Sequence, residues 1–160
     1  MRFLGLAAVV VAVYLLLKPK GQAAASPAAG APPATNSDAL DNIMQAIFQK
    51  EGGHPGNRNI VNNNPGDVKS AANMTGTAGG YATFADIGDG WDALKAWIQS
   101  HISAHPDWDF YDTFDYYLRG STTAPSNDKQ GNSDAYAEYV ANYAGFDPTQ
   151  TVSSALGYTA

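Results

Sequence analysis

The stretch LDNIMQAIFQKEGG, Leu40 to Gly53, carries a helical apolar stripe that ends on a charged residue. A helix is predicted to begin at Ser37, a good N-cap, with Asp38 in its first turn. Its apolar residues recur at helical spacing: Leu40, Ile43, Met44, Ile47 and Phe48. The next position on the stripe is Glu51, and two glycines then end the helix. The helix is therefore expected to bury one face and to bring Glu51 to the edge of that face.

A carboxylate in this position has unusual chemistry. Ionised Glu51 would be costly on a buried face, and it would also face the negative end of the helix dipole. Both effects raise the pKa of Glu51, and a carboxylic acid that keeps its proton near neutral pH can act as a general acid. The alternative is an ordinary exposed glutamate, since one turn of drift would place the side chain in solvent.

The remaining pattern predicts a mainly α domain with a small irregular or β lobe after the first helix. The region from His54 to Gly90 is rich in Gly and Asn and has no helical stripe. It is expected to form turns and a small hairpin, with a strand over Tyr81 to Phe84. Further helices are predicted from about Trp91 to His101 with Asp89 or Gly88 as cap, from about Asp109 to Leu118, from a Ser133 cap to Gly145, and over a short segment opened by Asp147 and Pro148.

Composition excludes several classes of protein. The 160 residues contain no cysteine, which excludes a disulfide framework, a zinc–cysteine site and a cysteine nucleophile. A net charge of −6 and a pI near 4.7 argue against a nucleic-acid partner, because binding to phosphates requires basic residues. Three Trp, nine Tyr and six Phe suit a core or a groove that stacks flat ligands.

The N-terminal segment is apolar over 15 residues, Phe3 to Leu17. A helix of that length spans about 22 Å, short for a hydrocarbon core of about 30 Å. It is either a cleaved signal peptide or a retained single-span anchor, residues 1–18. Lys18 and Lys20 directly follow the run and favour the anchor, because lysines can snorkel and the bilayer can thin. An Ala/Pro-rich flexible linker, residues 19–36, then leads to a domain over residues 37–160.

Four motifs occur in order over the 44 residues from Glu51 to Leu94. They are Glu51-Gly52-Gly53, Asn62-Asn63-Asn64-Pro65-Gly66, Gly80-Tyr81-Ala82-Thr83-Phe84 and Gly90-Trp91-Asp92-Ala93-Leu94. The ordered set resembles the lysozyme-like peptidoglycan hydrolases, and most closely the small lytic-transglycosylase-like domains of phage and bacteria. A weaker similarity continues through Tyr136-Ala137-x-Tyr139-Val140 and Gly145-Phe146-Asp147-Pro148.

The resemblance implies a lysozyme-like fold in which Glu51 is the catalytic acid that protonates the glycosidic oxygen of the glycan strand. In a lysozyme, a second carboxylate or a water completes hydrolysis. In a lytic transglycosylase, the sugar's own 6-hydroxyl closes an anhydro ring and the same glutamate serves as the base. Asp67, Asp86 and Asp89 are the candidates for a second carboxylate. The family usually has asparagine where this chain has Asp67, which we interpret as a solvated turn residue or, alternatively, as a second carboxylate that favours hydrolysis.

Several polar and aromatic residues are candidate substrate ligands. Asn62, Asn63 and Asn64 can bind the N-acetyl groups and hydroxyls of a glycan, or can simply form a turn before Pro-Gly. Of Tyr81 and Phe84, one is expected in the groove and the other in the core. The resemblance gives Tyr139 a hydroxyl that reaches Glu51, whereas the helical stripe places both Tyr136 and Tyr139 in the core.

No metal or cofactor is predicted. His101 and His105 lie one helical turn apart, but two histidines are a weak metal signal and Pro106 follows them. The segment DIGDGWD, Asp86 to Asp92, lacks the spacing of a calcium loop and is better explained by helix capping. His54 is expected at the surface.

The sequence thus predicts a membrane-anchored peptidoglycan-cleaving enzyme with glycan strands and the membrane as partners. It would act in a virion with an internal membrane, for entry of a phage through the cell wall, or in a bacterial envelope, with the domain outside the cytoplasm. The alternative is a membrane-tethered structural or glycan-binding protein that has the fold without the activity. Glu51 separates the two, since only the enzyme requires it.

Overall fold

A computed structural model describes residues 36–120 and 130–158, which belong to one compact unit of the chain. It is mainly helical, as predicted. The elements are α1 Asn36–Lys50, α2 Arg58–Val61, β1 Gly76–Ala78, β2 Tyr81–Thr83, α3 Ile87–Ala104, α4 Phe110–Arg119, α5 Gln130–Ala144 and α6 Val152–Ala155. The predicted anchor, the linker up to residue 35, and residues 121–129 and 159–160 lie outside the described ranges. Within those ranges, no helix combines the length and the apolar character needed to cross a membrane.

Helix α1 forms the centre of the domain, and its predicted stripe is its buried face. The buried side chains on this face are Ala39, Leu40, Ile43, Met44, Ala46, Ile47 and Phe48. The helix packs mainly against α5, with α3 beside it. Phe110 and Phe114 of α4 and Tyr136 and Val140 of α5 complete the same hydrophobic core. The burial of this stripe confirms the predicted buried face of α1, but the helix begins at Asn36, so the prediction of Ser37 as its N-cap is wrong.

Helix α3 begins one turn earlier than predicted. Its N-cap is Asp86, whose side chain accepts a hydrogen bond from the backbone N–H of Asp89 at 3.0 Å. The prediction of Asp89 or Gly88 as the cap is therefore wrong. The first turn, Ile87 to Gly90, contains two glycines and no stripe, so apolar periodicity does not detect it.

The other helices occur close to their predicted places. Asp109 caps α4 by accepting from the N–H of Asp112 at 2.9 Å. Helix α5 begins before Ser133, so the predicted cap lies inside the helix. The last helix is capped by Thr151 rather than by Asp147, whose side chain accepts instead from the backbone N–H of Thr149 in a preceding turn.

The lobe between α1 and α3 contains the predicted hairpin. Strands β1 and β2 pair antiparallel, with Ala78 opposite Tyr81 across a two-glycine turn. The strand ends at Thr83, so Phe84 follows it. Helix α2 was not predicted, because a helix of four residues is too short to show a stripe.

Candidate active site

Glu51 lies directly beyond the last residue of α1. Its backbone N–H still donates to the carbonyl of Ile47 at 2.8 Å, so the helical path continues to this residue. Gly52 then adopts a φ of 83°, a left-handed conformation that suits glycine and ends the helix. The Glu51 side chain is half-buried, and its Oε1 accepts a hydrogen bond of 2.8 Å from the hydroxyl of Tyr136 on α5.

The pKa of Glu51 is raised above its ordinary value, in the direction predicted from the sequence. The largest cause is burial of the carboxyl group, to which the negative charge of Asp67 adds. The hydrogen bond from Tyr136 and the positive charges of Arg58 and Lys50 act in the opposite direction. The effect of burial is the largest of these, so the net pKa of Glu51 is raised.

Glu51 lines a cleft of about 300 Å³. Four aromatic residues contribute to its walls: Tyr81, Trp97, Tyr116 and Tyr117. Tyr81 comes from the hairpin, Trp97 from α3 and the other two from α4. The cleft is therefore built where the lobe meets the helical core, and it combines flat apolar faces with a carboxylic acid.

Asn64 serves the structure of the lobe itself. Its side chain is fully buried, with Nδ2 donating to the carbonyls of Val68 at 2.8 Å and Ala82 at 2.9 Å. Its Oδ1 accepts from the N–H of Val68 at 2.9 Å. Both amide hydrogens are thus used within the turn, which leaves Asn64 no donor for a ligand.

The other two asparagines also lie apart from the described lining of the cleft. Asn63 adopts a φ of 53° and donates from Nδ2 to the carbonyl of Phe84 at 3.1 Å. Asn62 is buried, and its Nδ2 has no hydrogen-bond partner among the described residues. None of the three asparagines is therefore among the residues that line the cleft.

The aromatic candidates separate clearly. Tyr81 lines the cleft, and the guanidinium of Arg58 lies 3.7 Å from the centre of its ring. Phe84 is 4% exposed and packs with Ala82 and Ala93 in a small second core. The groove residue of this pair is Tyr81 and the core residue is Phe84.

The hydroxyl that reaches Glu51 belongs to Tyr136 and not to Tyr139. Tyr139 is 36% exposed, and its ring lies under the ammonium of Lys50, 4.9 Å from the ring centre. The two tyrosines are three positions apart, so they point about 60° away from each other on the helix. Tyr136 is 4% exposed and belongs to the core, so the prediction that both rings lie in the core is wrong for Tyr139.

Of the three candidates for a second carboxylate, only Asp67 lies on the cleft. Its side chain is 7% exposed and pairs with Arg58, with 2.5 Å between Oδ2 and Nη2. The interpretation of Asp67 as a solvated turn residue is therefore wrong. Asp86 is the cap of α3, and Asp89 lies in the first turn of that helix.

Two cleft residues, Tyr117 and Trp97, were not predicted, nor was Arg58, which contacts the cleft residues Asp67 and Tyr81. Tyr117 donates its hydroxyl to the carbonyl of Gly66, and its ring centre lies 5.8 Å from that of Tyr136. Trp97 lies on α3 beside the apolar stripe. Its large aromatic side chain outside the stripe is the one feature of the sequence that could have indicated a role in the cleft. Arg58 gives no such signal, because its partners are distant in sequence or lie in the irregular lobe.

The histidines make ring contacts. His101 stacks on Trp97 with 4.0 Å between ring centres, and His105 stacks on Trp108 at 3.7 Å. In the part of the chain that the structure describes, no three metal-ligating side chains come together. His54 is exposed, as predicted.

Together these residues form a site suited to proton transfer. A half-buried carboxylic acid with a raised pKa faces a cleft with aromatic walls, and a buried tyrosine orients it. Such an acid can protonate a leaving group and then, as a carboxylate, accept a proton from a nucleophile. Comparison of the chain with protein-family models, with curated proteins and with solved structures gives no match.

Proposed function

We propose that this protein is a peptidoglycan-cleaving glycosidase, a lytic transglycosylase with a lysozyme-like domain, in which Glu51 is the general acid and base. The observation that carries the proposal is the state of Glu51: half-buried on an aromatic cleft, bound by Tyr136 and with a raised pKa. A carboxyl group tuned in this way matches the requirement of glycoside cleavage for an acid that is protonated at the working pH.

The reaction needs only this carboxyl group. Protonated Glu51 gives its proton to the oxygen between the MurNAc and GlcNAc units. The bond between that oxygen and C1 of MurNAc then breaks, and the leaving sugar keeps the proton as part of a hydroxyl group. Positive charge develops at C1. The 6-hydroxyl of the same MurNAc then attacks C1 while the Glu51 carboxylate takes the hydroxyl proton, which closes the anhydro ring and restores the acid.

The surroundings of Glu51 support both halves of this cycle. The Tyr136 hydroxyl can donate to the carboxylate that exists between the two proton transfers, when a hydrogen bond to a charged oxygen is strongest. Tyr81 and Trp97 line the cleft, and aromatic side chains there suit contact with the apolar side of sugar rings. A cleft of about 300 Å³ lies at the lower end of the range for small-ligand sites.

A lysozyme-like architecture is the finer statement about the fold that we propose. It is supported by the order of the elements: a first helix that ends at the acid, a small lobe with a hairpin, and then the remaining helices. We further propose that residues 1–18 anchor the protein in a virion membrane or a bacterial envelope, with the catalytic domain outside the cytoplasm and acting on the cell wall.

One observation favours hydrolysis as a second candidate reaction. Asp67 is a buried carboxyl group on the same cleft as Glu51. Two carboxyl groups on one cleft are the usual equipment of a hydrolysing glycosidase. The two reactions differ in product, since transglycosylation leaves anhydro ends and hydrolysis leaves reducing ends.

The test uses the purified chain in detergent, its Glu51→Gln variant and purified peptidoglycan, with products identified by mass spectrometry. We expect anhydro-ended fragments from the native chain and a loss of activity of about 10²-fold or more in the variant. Glu138→Gln is the matched control, because Glu138 is the only other glutamate of the chain and lies exposed on α5. Reducing-end products would change the reaction to hydrolysis. No product from folded protein on several wall types would overturn the enzyme proposal and leave a structural or glycan-binding role.

A further inference from the structure

Asp67, which lines the cleft together with Glu51, forms an ion pair with Arg58. Arg58, the first residue of α2, donates from Nη2 to Oδ2 of Asp67 at 2.5 Å and from Nε to Oδ1 at 3.3 Å. This two-point contact fixes both the position and the rotation of the carboxylate. The same guanidinium lies over the ring of Tyr81, so Arg58 connects Asp67 to another wall of the cleft.

The backbone conformation and hydrogen bonds around Asp67 also fix its position. Asp67 has a φ of 48°, a left-handed conformation that non-glycine residues rarely adopt. Its N–H donates to the carbonyl of Asn64 at 3.1 Å, and the preceding carbonyl, of Gly66, accepts the Tyr117 hydroxyl. An unusual conformation that the surrounding structure holds in place is typical of functional sites.

The charges that act on Glu51 come from several elements. Tyr136 of α5 donates to it, Lys50 precedes it at the end of α1, and Arg58 of α2 and Asp67 of the turn complete the set. Asp67 supplies the negative charge of this set and Arg58 and Lys50 supply positive charge. Glu51 therefore sits near a fixed dipole formed by Asp67 and Arg58.

We propose that the Arg58–Asp67 pair is a working part of the Glu51 site: the charge of Asp67 favours protonated Glu51 and the sugar cation, and Arg58 fixes that charge in place. The inference rests on the proposed function. Asp67 is a positioning residue and not a catalytic one, because a side chain that is 7% exposed and bound at both oxygens acts through its field rather than by contact. Because the Asp67 side chain is 7% exposed, water screens its charge less than that of a fully exposed carboxylate.

Asp67 and Arg58 carry opposite charges, so they shift the pKa of Glu51 in opposite directions. Removing each charge in turn should therefore give shifts of opposite sign. In Asp67→Asn the negative charge is lost and Arg58 remains, so the alkaline limb of the pH–rate profile should move to lower pH. In Arg58→Gln the positive charge is lost, so the alkaline limb of the pH–rate profile should move to higher pH. In Arg58→Lys the positive charge is kept, so the alkaline limb should lie at the same pH as in the native protein. We also expect kcat to fall about tenfold or more in Asp67→Asn, since direct loss of a transition-state stabiliser costs about 10²–10³-fold.

The same shifts should appear in a carbon-13 NMR titration of the Glu51 carboxyl, which requires no substrate. The matched control is the Arg119–Asp115 pair of α4, neither member of which lines the cleft. Asp115→Asn and Arg119→Gln should leave both the limb and the Glu51 titration unchanged.

Opposite shifts in the titration support the inference even if no peptidoglycan is cleaved, so its failure and that of the proposed function are distinguishable. Shifts of the same sign, or none, in folded Arg58→Gln and Asp67→Asn proteins would show that the pair only holds the lobe together. If Asp67→Asn does not fold, Arg58→Gln and Arg58→Lys decide: equal titrations in these two variants would overturn the inference.

Discussion

At the scale of the residue, the site depends on one hydrogen bond across the core. Tyr136 and Glu51 are 85 positions apart, yet the tyrosine hydroxyl lies 2.8 Å from the carboxyl oxygen. The pKa of Tyr136 is raised well above its usual value, first by burial and then by the charges of its neighbours. Tyr136 therefore remains a neutral donor, so its proton is available to orient Glu51 throughout a catalytic cycle.

We expect Tyr136→Phe to lower the rate of peptidoglycan cleavage by about 10- to 100-fold, because a hydrogen bond to a charged group is worth about 1.5–3 kcal/mol. The bond lowers the pKa of Glu51, so its loss should raise that pKa and move the alkaline limb of the pH–rate profile to higher pH. Tyr139→Phe, at an exposed position on the same helix, is the matched control. Equal profiles for the two variants would remove Tyr136 from the mechanism.

At the scale of the element, the site depends on how the turn before Asp67 docks on α3. Gly90 is buried in the first turn of that helix, and a Cβ at this position would collide with the backbone carbonyl of Asn63 and the ring of Pro65. A Cβ at Gly66 would likewise meet the side chain of Leu94. The helix and the turn thus approach so closely that only glycine fits at these positions.

We expect Gly90→Ala to destabilise the domain by about 1–3 kcal/mol, the usual cost of overpacking, and to lower its Tm by several degrees. Gly88→Ala is the control, because Gly88 is exposed in the same helical turn and its nearest neighbour is the side chain of Asp86. Thermal unfolding followed by circular dichroism gives both values. The docking argument does not survive if Gly90→Ala is as stable as the control.

At the scale of the whole molecule, the ionised form of Glu51 that the proposed reaction requires lowers the stability of the folded domain. A carboxyl group whose pKa is raised on folding binds its proton more tightly in the folded state than in the unfolded state. Its contribution to stability is therefore fully present below the unfolded pKa and is lost as the pH rises through the folded pKa. The charge that would serve as the catalytic base thus destabilises the folded domain.

We therefore expect Glu51→Gln to be more stable than the native protein at pH 8, because glutamine carries no charge to bury. The difference should disappear as the pH falls below the unfolded pKa of glutamate, near 4.3. Denaturant unfolding at pH 4 and pH 8 measures it, with Glu138→Gln as the exposed control. A variant less stable than the native protein at pH 8 would contradict the raised pKa.

Much of the helical framework could be predicted because its signals are local. The stripe of α1 and the start of α4 near Asp109 are both specified by residues within a turn or two of the structure concerned. The same local reasoning failed at Asp86, where the first turn of α3 contains glycines in place of apolar residues. It also missed α2, whose single turn is too short to repeat any pattern.

The sequence by itself determined that a helix ends at Glu51, at the edge of its apolar stripe, because helical periodicity and the glycines after it are properties of the chain alone. Only the tertiary structure decided which groups face that acid. Tyr136, and not Tyr139, donates a hydrogen bond to Glu51. Asp67 is a buried partner of Arg58 instead of a solvated turn residue. Tyr81, and not Phe84, lines the cleft. The physical reason is that these choices depend on helix rotation and on contacts between distant segments, which are set when the lobe and the helices pack against each other.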